Sequence, residues 1–312
     1  LLTASLGAAD TPYTRAVTRK AFTAAVTRAM QPGTKYDNML ILSGPQGLGK
    51  STLLDKMSRG WFNDSIRTFE GKEASELLQG VWLVEIAELD AFRRTDIARI
   101  KQFLSLRADR FRAAYGRHVK ELPRCCVFFG TTNTSDYLQD RTGNRRFWPV
   151  DVGVRPVTKR VWSDLPEEVD QLWAEAVVRW RTGEPLFLKG ELEEAAKQKQ
   201  EEHRETSTRE GIIMDFLDRQ VPEDWQSWPL DRRRTLWGGA VQGEVKLVDR
   251  DRVCALEVWC EALDGKQRDI RYSDTAEINS IIEACPKWEK SRSSLRFGYC
   301  GKQRGFLRRR GF

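Results

Sequence analysis

Histidine is nearly missing from this chain, with two residues in 312. A metal centre built on imidazole has little to draw on, and His118 standing alone is no argument for one. Six cysteines show no metal-ligand spacing: Cys125 and Cys126 adjoin in an apolar stretch that reads as a strand, and the other four are scattered. Without disulfide-like density or a signal segment, the expectation is a cytoplasmic protein with buried, reduced thiols. No apolar run approaches the ~20 residues that cross a bilayer. Internal repeats and low-complexity stretches are also missing. The chain opens Leu1-Leu2-Thr3 without a methionine, which suggests a fragment of something longer.

Such a length allows one large domain or two ordinary ones. Lysine and arginine number 52 against 45 acids, a net charge of +7. The excess is concentrated at the end, where Ser291 to Phe312 carries seven basic residues and no acid. That bias suits a polyanionic partner, or a basic tail kept for solubility.

Against these absences stands Gly44-Pro45-Gln46-Gly47-Leu48-Gly49-Lys50-Ser51, a complete GxxxxGKS phosphate-binding pattern. Met39 to Leu42 reads as the strand entering it and Ser51 to Met57 as the helix leaving it. Glycines let the backbone wrap anionic oxygens, and bare N–H groups at a helix start supply positive potential. Lys50 would reach the β- and γ-phosphates of ATP, the Ser51 hydroxyl would hold Mg²⁺, and Thr52 completes the cradle.

A first helix is announced by Asp10-Thr11-Pro12 and stopped by Pro32-Gly33. Further apolar strands are expected at Val81 to Val84, ending on Glu85, at Cys125 to Phe129, and at Phe147 to Val150. Ile97, Ile100, Leu104 and Phe111 form one helical stripe. Strands alternating with helices argue an α/β fold with a parallel sheet and its ligand at the strand carboxyl ends. A helix resumes at Leu172, and Gly190 to Glu205 is a charged helical connector. The expected organisation is a helical flank (1–38), a nucleotide-binding domain with connector (39–205) and a smaller basic α+β domain (206–312). In the last, Ser207-Thr208-Arg209-Glu210 is a capping box. Helices follow near Val253–Leu263 and Thr275–Cys285, the latter capped by Ser273, and Leu295 to Arg310 reads as a β-hairpin. Three helices and a basic hairpin suggest a winged helix, with Arg308, Arg309 and Arg310 on DNA.

Nucleotide hydrolysis needs acids beside the loop. Glu85 and Glu88 fit the two roles of holding Mg²⁺ and orienting the attacking water, with Asp90 as a spare. Glu85 is the metal candidate, although which glutamate activates water stays open. Asn133, in Thr131-Thr132-Asn133, would reach between the γ-phosphate and the water-polarising acid. Arg145 and Arg146 sit where arginines donated across a subunit boundary would neutralise developing charge, or would form surface ion pairs.

Ser43 to Thr52, Trp82 to Asp90, Tyr115-Gly116-Arg117, Thr131 to Asn133 and Gly143 to Pro149 together resemble the virulence-associated protein E family. Those proteins are encoded by phages, plasmids and pathogenicity islands and are related to superfamily 3 helicases within the AAA+ ATPases. The likeness covers most of residues 5 to 205 in order and spacing, and is looser after 206. It implies a P-loop AAA+ type sheet, a hexameric or other ring-like homo-oligomer with ATP and Mg²⁺ between subunits, and a role in replicating mobile DNA. It also implies that a primase-like region often precedes the ATPase. A hairpin formed by Arg112, Tyr115, Arg117, His118 and Lys120 would grip single-stranded DNA, charges tracking phosphates and Tyr115 stacking. Lys101, Asp109 and Arg112 would link it to the nucleotide site. The departure is the acidic pair, since Glu85 and Glu88 stand where the family has adjacent Asp-Glu.

The leading expectation is an ATP-driven helicase or translocase. An initiator or loader whose ATP controls assembly would share every motif. A small-molecule kinase would need an acceptor pocket and a lid in place of the asparagine, the arginines and the basic appendage.

Overall fold

The stretch Met39-Leu40-Ile41-Leu42 is apolar at four successive positions, and strand β1 (Met39–Ser43) is buried along its whole length. Such a run belongs to a parallel strand covered on both faces. Side chains alternate: Leu40 and Leu42 join a layer with Val17, Phe22 and Trp173, while Met39 and Ile41 join one with Ile86, Ile100 and Phe128.

The computed structural model describes residues 1–91, 94–111, 118–138, 144–204, 207–238 and 246–309. The chain divides into two units, Leu1–Glu205 and Thr206–Phe312. In the first, α1 (Leu2–Leu6) and α2 (Pro12–Met30) precede β1, and α3 (Lys50–Ser58), β2 (Phe62–Asn63), α4 (Gly71–Glu76) and β3 (Leu83–Ile86) follow. Next come α5 (Arg94–Leu104), β4 (Ala108–Phe111), β5 (Lys120–Pro123), β6 (Val127–Thr132), β7 (Phe147–Asp151), α6 (Leu165–Arg181) and α7 (Glu191–Glu202).

Five strands form one sheet in the order β2-β3-β6-β1-β7, every pairing parallel. The chain travels from β1 to the β2 edge, returns to β6, then crosses to β7 on the other side of β1. The order therefore reverses at β1, where open α/β sheets bind ligands beyond the strand carboxyl ends. The unit is α/β, a parallel sheet flanked by helices.

Local chemistry explains the helix ends. Thr11 accepts a 3.0 Å bond from the Thr14 amide, with Pro12 opening α2. In α6, Glu167 and Glu168 occupy the first turn and Arg179 and Arg181 the last, complementing the helix dipole. This helix starts at Leu165, about two turns before the expected Leu172. Buried Arg28 donates to the carbonyls of Tyr36 (2.6 Å) and Cys126 (2.7 Å), joining α2 to the sheet.

Several expectations need correcting. Cys125 is exposed and precedes its strand, so only Cys126 of that pair is buried. Phe111 is not on the helical stripe, because α5 ends at Leu104 and Phe111 pairs with Lys120 in the β4–β5 hairpin. Strand β3 starts at Leu83 rather than Val81 and runs one residue past Glu85, its expected end. Strand β2, a two-residue sheet edge, and α1 went unread because neither is long enough to show a period.

The second unit contains α8 (Thr208–Asp218), β8 (Val221–Pro222), α9 (Leu230–Trp237), β9 (Leu247–Val248), β10 (Arg252–Val253) and α10 (Ala255–Glu257). A π-helical turn, Val258–Ala262, extends α10. Then follow α11 (Tyr272–Ala284), β11 (Trp288–Lys290), β12 (Leu295–Phe297), β13 (Gly301–Gln303) and β14 (Phe306–Arg308). Ser207 accepts from the Glu210 amide at 3.2 Å to open α8. Ser273 does not cap α11; the cap is Arg271, whose amide donates to Asp274. The terminal stretch is more than one hairpin: β12 and β13 pair with each other, whereas β14 lies between β10 and β11. Ile213, Phe216, Val258, Ile278 and Trp288 form the core. Among the described residues no helix is long and apolar enough to cross a membrane.

Candidate functional site

At the carboxyl end of β1 the chain turns through Gly44 to Gly49 and enters α3 at Lys50. A β-carbon on Gly44 would meet the Val152 carbonyl oxygen at 2.4 Å, so only glycine fits there. Gly47 and Gly49 hold φ values of 85° and 88°, a region costly for side-chain-bearing residues. Ser43 braces the loop from behind, donating its hydroxyl to the Thr134 carbonyl at 2.9 Å.

The loop gathers the polar groups of three strands. Lys50 Nζ donates to the Pro45 carbonyl (2.9 Å) and to Asn133 Oδ1 (3.0 Å), just beyond β6. Ser51 Oγ donates to Glu85 Oε1 at 2.7 Å, and Thr131 Oγ1 donates to the same oxygen at 2.5 Å. Glu85 is fully buried, and its Oε2 has no hydrogen-bond partner among the described residues. An orphaned buried carboxylate oxygen carries a desolvation penalty that a cation would relieve. Among the described residues no group of three or more His, Cys, Asp or Glu could hold a metal alone. A cation at Ser51 and Glu85 would therefore need further oxygens from a ligand, which is the habit of Mg²⁺ with phosphates.

Glu88 is exposed and sits at φ 54°, a left-handed conformation unusual for glutamate. It shares a cavity of about 300 Å³ with residues Gln46 to Thr52, Thr131 to Asn133 and Trp162. Strain at a side chain facing a cleft is where function is sought. Asp90's side chain lies outside the described residues. Thr131 and Trp162 were not foreseen. Thr131 could have been found from its place one turn of the strand pattern from Asn133; Trp162 stands in a loop with no motif to mark it. A larger cavity of about 460 Å³, lined by Trp61, Trp82 and Trp173 among others, is apolar and lacks any convergence of charged groups beyond the buried Asp109 and Arg124.

Arg145 and Arg146 are not brought to the loop. They precede β7, whose first residue Phe147 pairs with Met39 at the start of β1, while the loop follows Ser43. Five residues of strand, about 16 Å, separate them from it. Arg146 bonds the Ser105 hydroxyl (3.0 Å) and nears Asp37 (3.7 Å). Arg145 is exposed, and its guanidinium makes no ion pair among the described residues.

Of the expected DNA hairpin, β4 and β5 pair in antiparallel register, with His118 and Lys120 exposed. Arg112, Tyr115 and Arg117 lie outside the described residues. Asp109 is buried and bonded through both oxygens to Arg124 (2.8 and 2.9 Å), and Lys101 lies 5.5 Å from the Phe147 ring centroid. Asp109 thus anchors the hairpin to its own base and bonds no group of the loop.

The terminal arginines differ from expectation. Arg308 is largely buried, its side chain 17% exposed and 3.9 Å from Asp249, because β14 is the middle strand of its sheet. Arg309 is exposed, and Arg310 lies outside the described residues. Exposed cations stand instead on the β12–β13 hairpin, where Arg296 and Lys302 are direct cross-strand partners without an ion pair among the described residues. Like charges so placed repel, and a bound anion would relieve them.

At the carboxyl end of β7, Asp151 pairs with Ser43 in register and contacts His203 (2.9 Å) and Lys199 (3.0 Å) of the α7 region. The His203 contact, against the opposing effect of burial, holds the Asp151 carboxyl down at about 2. Burial works against charge on His203, but the Asp151 contact and the Ser135 carbonyl outweigh it and raise its pKa.

The model of the virulence-associated protein E-like domain matches residues 1–205. No curated protein matches the chain. Among solved structures, the A-form apo structure of the NrS-1 C-terminal region is similar at 13% identity and a TM-score of 0.48, over 98% of this chain and 73% of that one. The apo structure of the NrS-1 C-terminal region gives 14%, 0.43, 99% and 74%. Superpositions this loose say nothing about chemistry.

Proposed function

Because the chain belongs to the virulence-associated protein E-like family, we propose that it is the ATP-hydrolysing motor of a mobile-element replication protein, moving on or unwinding DNA as a ring-like oligomer. The observation that carries this is the convergence of Lys50, Ser51 and Asn133 on one cavity at the carboxyl ends of β1 and β6, with buried Glu85 of β3 bonded to Ser51 behind it.

Lys50 and the loop amides would hold the β- and γ-phosphates. Bound Mg²⁺, with Ser51 and Glu85 as its protein partners, would neutralise phosphate charge. Glu88, exposed on the cavity wall, would orient the attacking water, while buried Glu85 already has both hydroxyl donors on one oxygen. Asn133 would carry the state of the γ-phosphate to β6. The exposed Arg145, too far from its own loop, would serve a neighbouring subunit's site. In the second unit the Arg296–Lys302 hairpin would hold duplex phosphates as the wing of a winged helix.

The distance of Arg145 from its own loop also suits a second function. A site completed only by a neighbour's Arg145 would make turnover depend on assembly, which fits an ATP-controlled initiator or loader equally well. The deciding experiment measures ATP turnover with and without single-stranded DNA, alongside strand displacement on a forked duplex. A motor gives DNA-stimulated turnover and displacement, both lost in Lys50→Ala. Nucleotide-dependent assembly without displacement would favour the loader, and turnover unchanged in Lys50→Ala would end both.

A further inference from the structure

Between β7 and α6 the chain makes a tight turn. The amides of Asp164 and Leu165 both donate to the Arg160 carbonyl, and the Asp164 carboxylate accepts from the Arg160 amide at 2.9 Å. Val161 is driven into the core at 1% exposure. With one neighbour buried and the turn closed by three bonds, the next side chain is sent outward. That side chain is Trp162, 60% exposed, with no ring partner and no hydrogen bond among the described residues.

The indole does not stand over empty surface. It lies against Gly49, where an added β-carbon would sit 3.4 Å from ring Cη2 and 3.5 Å from Cζ2. It forms part of the same cavity wall as the loop, Glu88 and Asn133. The loop and Lys50 supply the cradle for phosphate, and the orphaned Glu85 oxygen behind Ser51 independently marks the place as one built for a charged ligand. A flat, rigid, uncommitted ring beside that cradle offers what the phosphates cannot use and a nucleobase can, a stacking face.

We infer that Trp162 is the base platform of the site, stacking the purine of a nucleoside triphosphate whose phosphates lie on the Gly44–Ser51 loop. This rests on the nucleotide-binding function proposed above. Stacking engages the π face of a base and not its hydrogen-bonding edge, so it tolerates adenine and guanine alike.

The test compares binding of Mg-ATP, Mg-GTP and inorganic tripolyphosphate, which has no base, to the full chain and its variants by calorimetry. Trp162→Ala should weaken ATP and GTP by similar factors, roughly 10-fold or more. Tripolyphosphate affinity should stay within error of wild type, and that constancy also shows the loop still folded. Trp162→Phe should recover most of the loss. Equal weakening of tripolyphosphate and ATP would make the ring a brace for the loop and overturn the inference. Unchanged ATP affinity would overturn it too, leaving the ring to another protein surface. Lys50→Ala should lose both ligands, and a wild-type chain that binds neither would end the nucleotide function itself.

Discussion

Ser51 and Glu85 are joined by a 2.7 Å hydrogen bond that ties the first turn of α3 to the buried heart of β3. The bond makes the two glutamates unequal. Glu85 is locked against the loop, while Glu88 projects from a left-handed backbone into the cavity. Glu88→Gln should therefore keep ATP, trap an assembled state and cut turnover by roughly 10²- to 10⁴-fold, the usual weight of a general base. Glu85→Gln keeps an acceptor oxygen for Ser51 and Thr131 but should weaken the dependence of nucleotide binding on Mg²⁺. Nucleotide-trap assays at stepped Mg²⁺ concentrations check both, and a trap given by Glu85→Gln alone would reverse the two roles.

The two arginines before β7 should also separate. Arg146 is engaged with Ser105 and Asp37, whereas Arg145 is exposed and makes no ion pair among the described residues. Arg145→Ala should leave ATP affinity nearly unchanged and cut turnover by roughly 10³-fold if it acts across a subunit boundary. Arg146→Ala should lower thermal stability more than turnover per folded chain. Mixing provides the control: Arg145→Ala subunits should poison wild-type assemblies, yet regain turnover when mixed with Lys50→Ala subunits. Failure of that rescue would return Arg145 to a local role.

The loop, the strand before it and the parallel sheet were legible because each leaves a strong local trace. Gly44 to Ser51 is a spacing pattern, and β1 is an uninterrupted apolar run. Elements without such traces were lost. A two-residue strand such as β2 has no period, and Phe111 happens to continue a helical spacing after the helix has ended. Nor can sequence tell which charges are spoken for. Arg308 and Arg296 look alike in a list of basic residues, but the first lies on the middle strand of a sheet and the second on a free hairpin. Trp162 was invisible for a related reason: its meaning comes from a buried neighbour and a closed turn.

That contrast sets a test for nucleic-acid contact in the second unit. Replacing Arg296 and Lys302 together by Gln should weaken duplex DNA binding across all sequences. It should also flatten the plot of log affinity against log salt by about one unit per lost phosphate contact. The same change removes a repulsive pair, so thermal stability should hold or rise. Arg308→Gln should do the opposite, lowering stability through a buried group, with little change in salt slope. Equal salt slopes for wild type and the double variant would leave the hairpin charges to solvation.

The His203–Asp151 contact carries a pH signature beside the loop. His203 has a raised pKa, so the stability it lends is complete below its ordinary value near 6.5 and disappears as pH climbs through the raised one. Asp151, lowered to about 2, lends stability above its ordinary value near 3.8 and loses it as pH falls toward 2. Both contributions are therefore in force between about pH 4 and 6.5. The melting-temperature difference between wild type and His203→Gln should be largest near pH 5 and shrink toward pH 8. Because the chain has only two histidines, the His203 resonance can be assigned by its loss in that variant and titrated directly by NMR. Its midpoint should lie above the ordinary value. In Asp151→Asn, burial is left with less to oppose it, and the midpoint should fall. A wild-type midpoint at or below the ordinary value, or one indifferent to Asp151→Asn, would mean that the contact does not hold charge on His203. The brace between α7 and the carboxyl end of β7 would then rest on Lys199 alone.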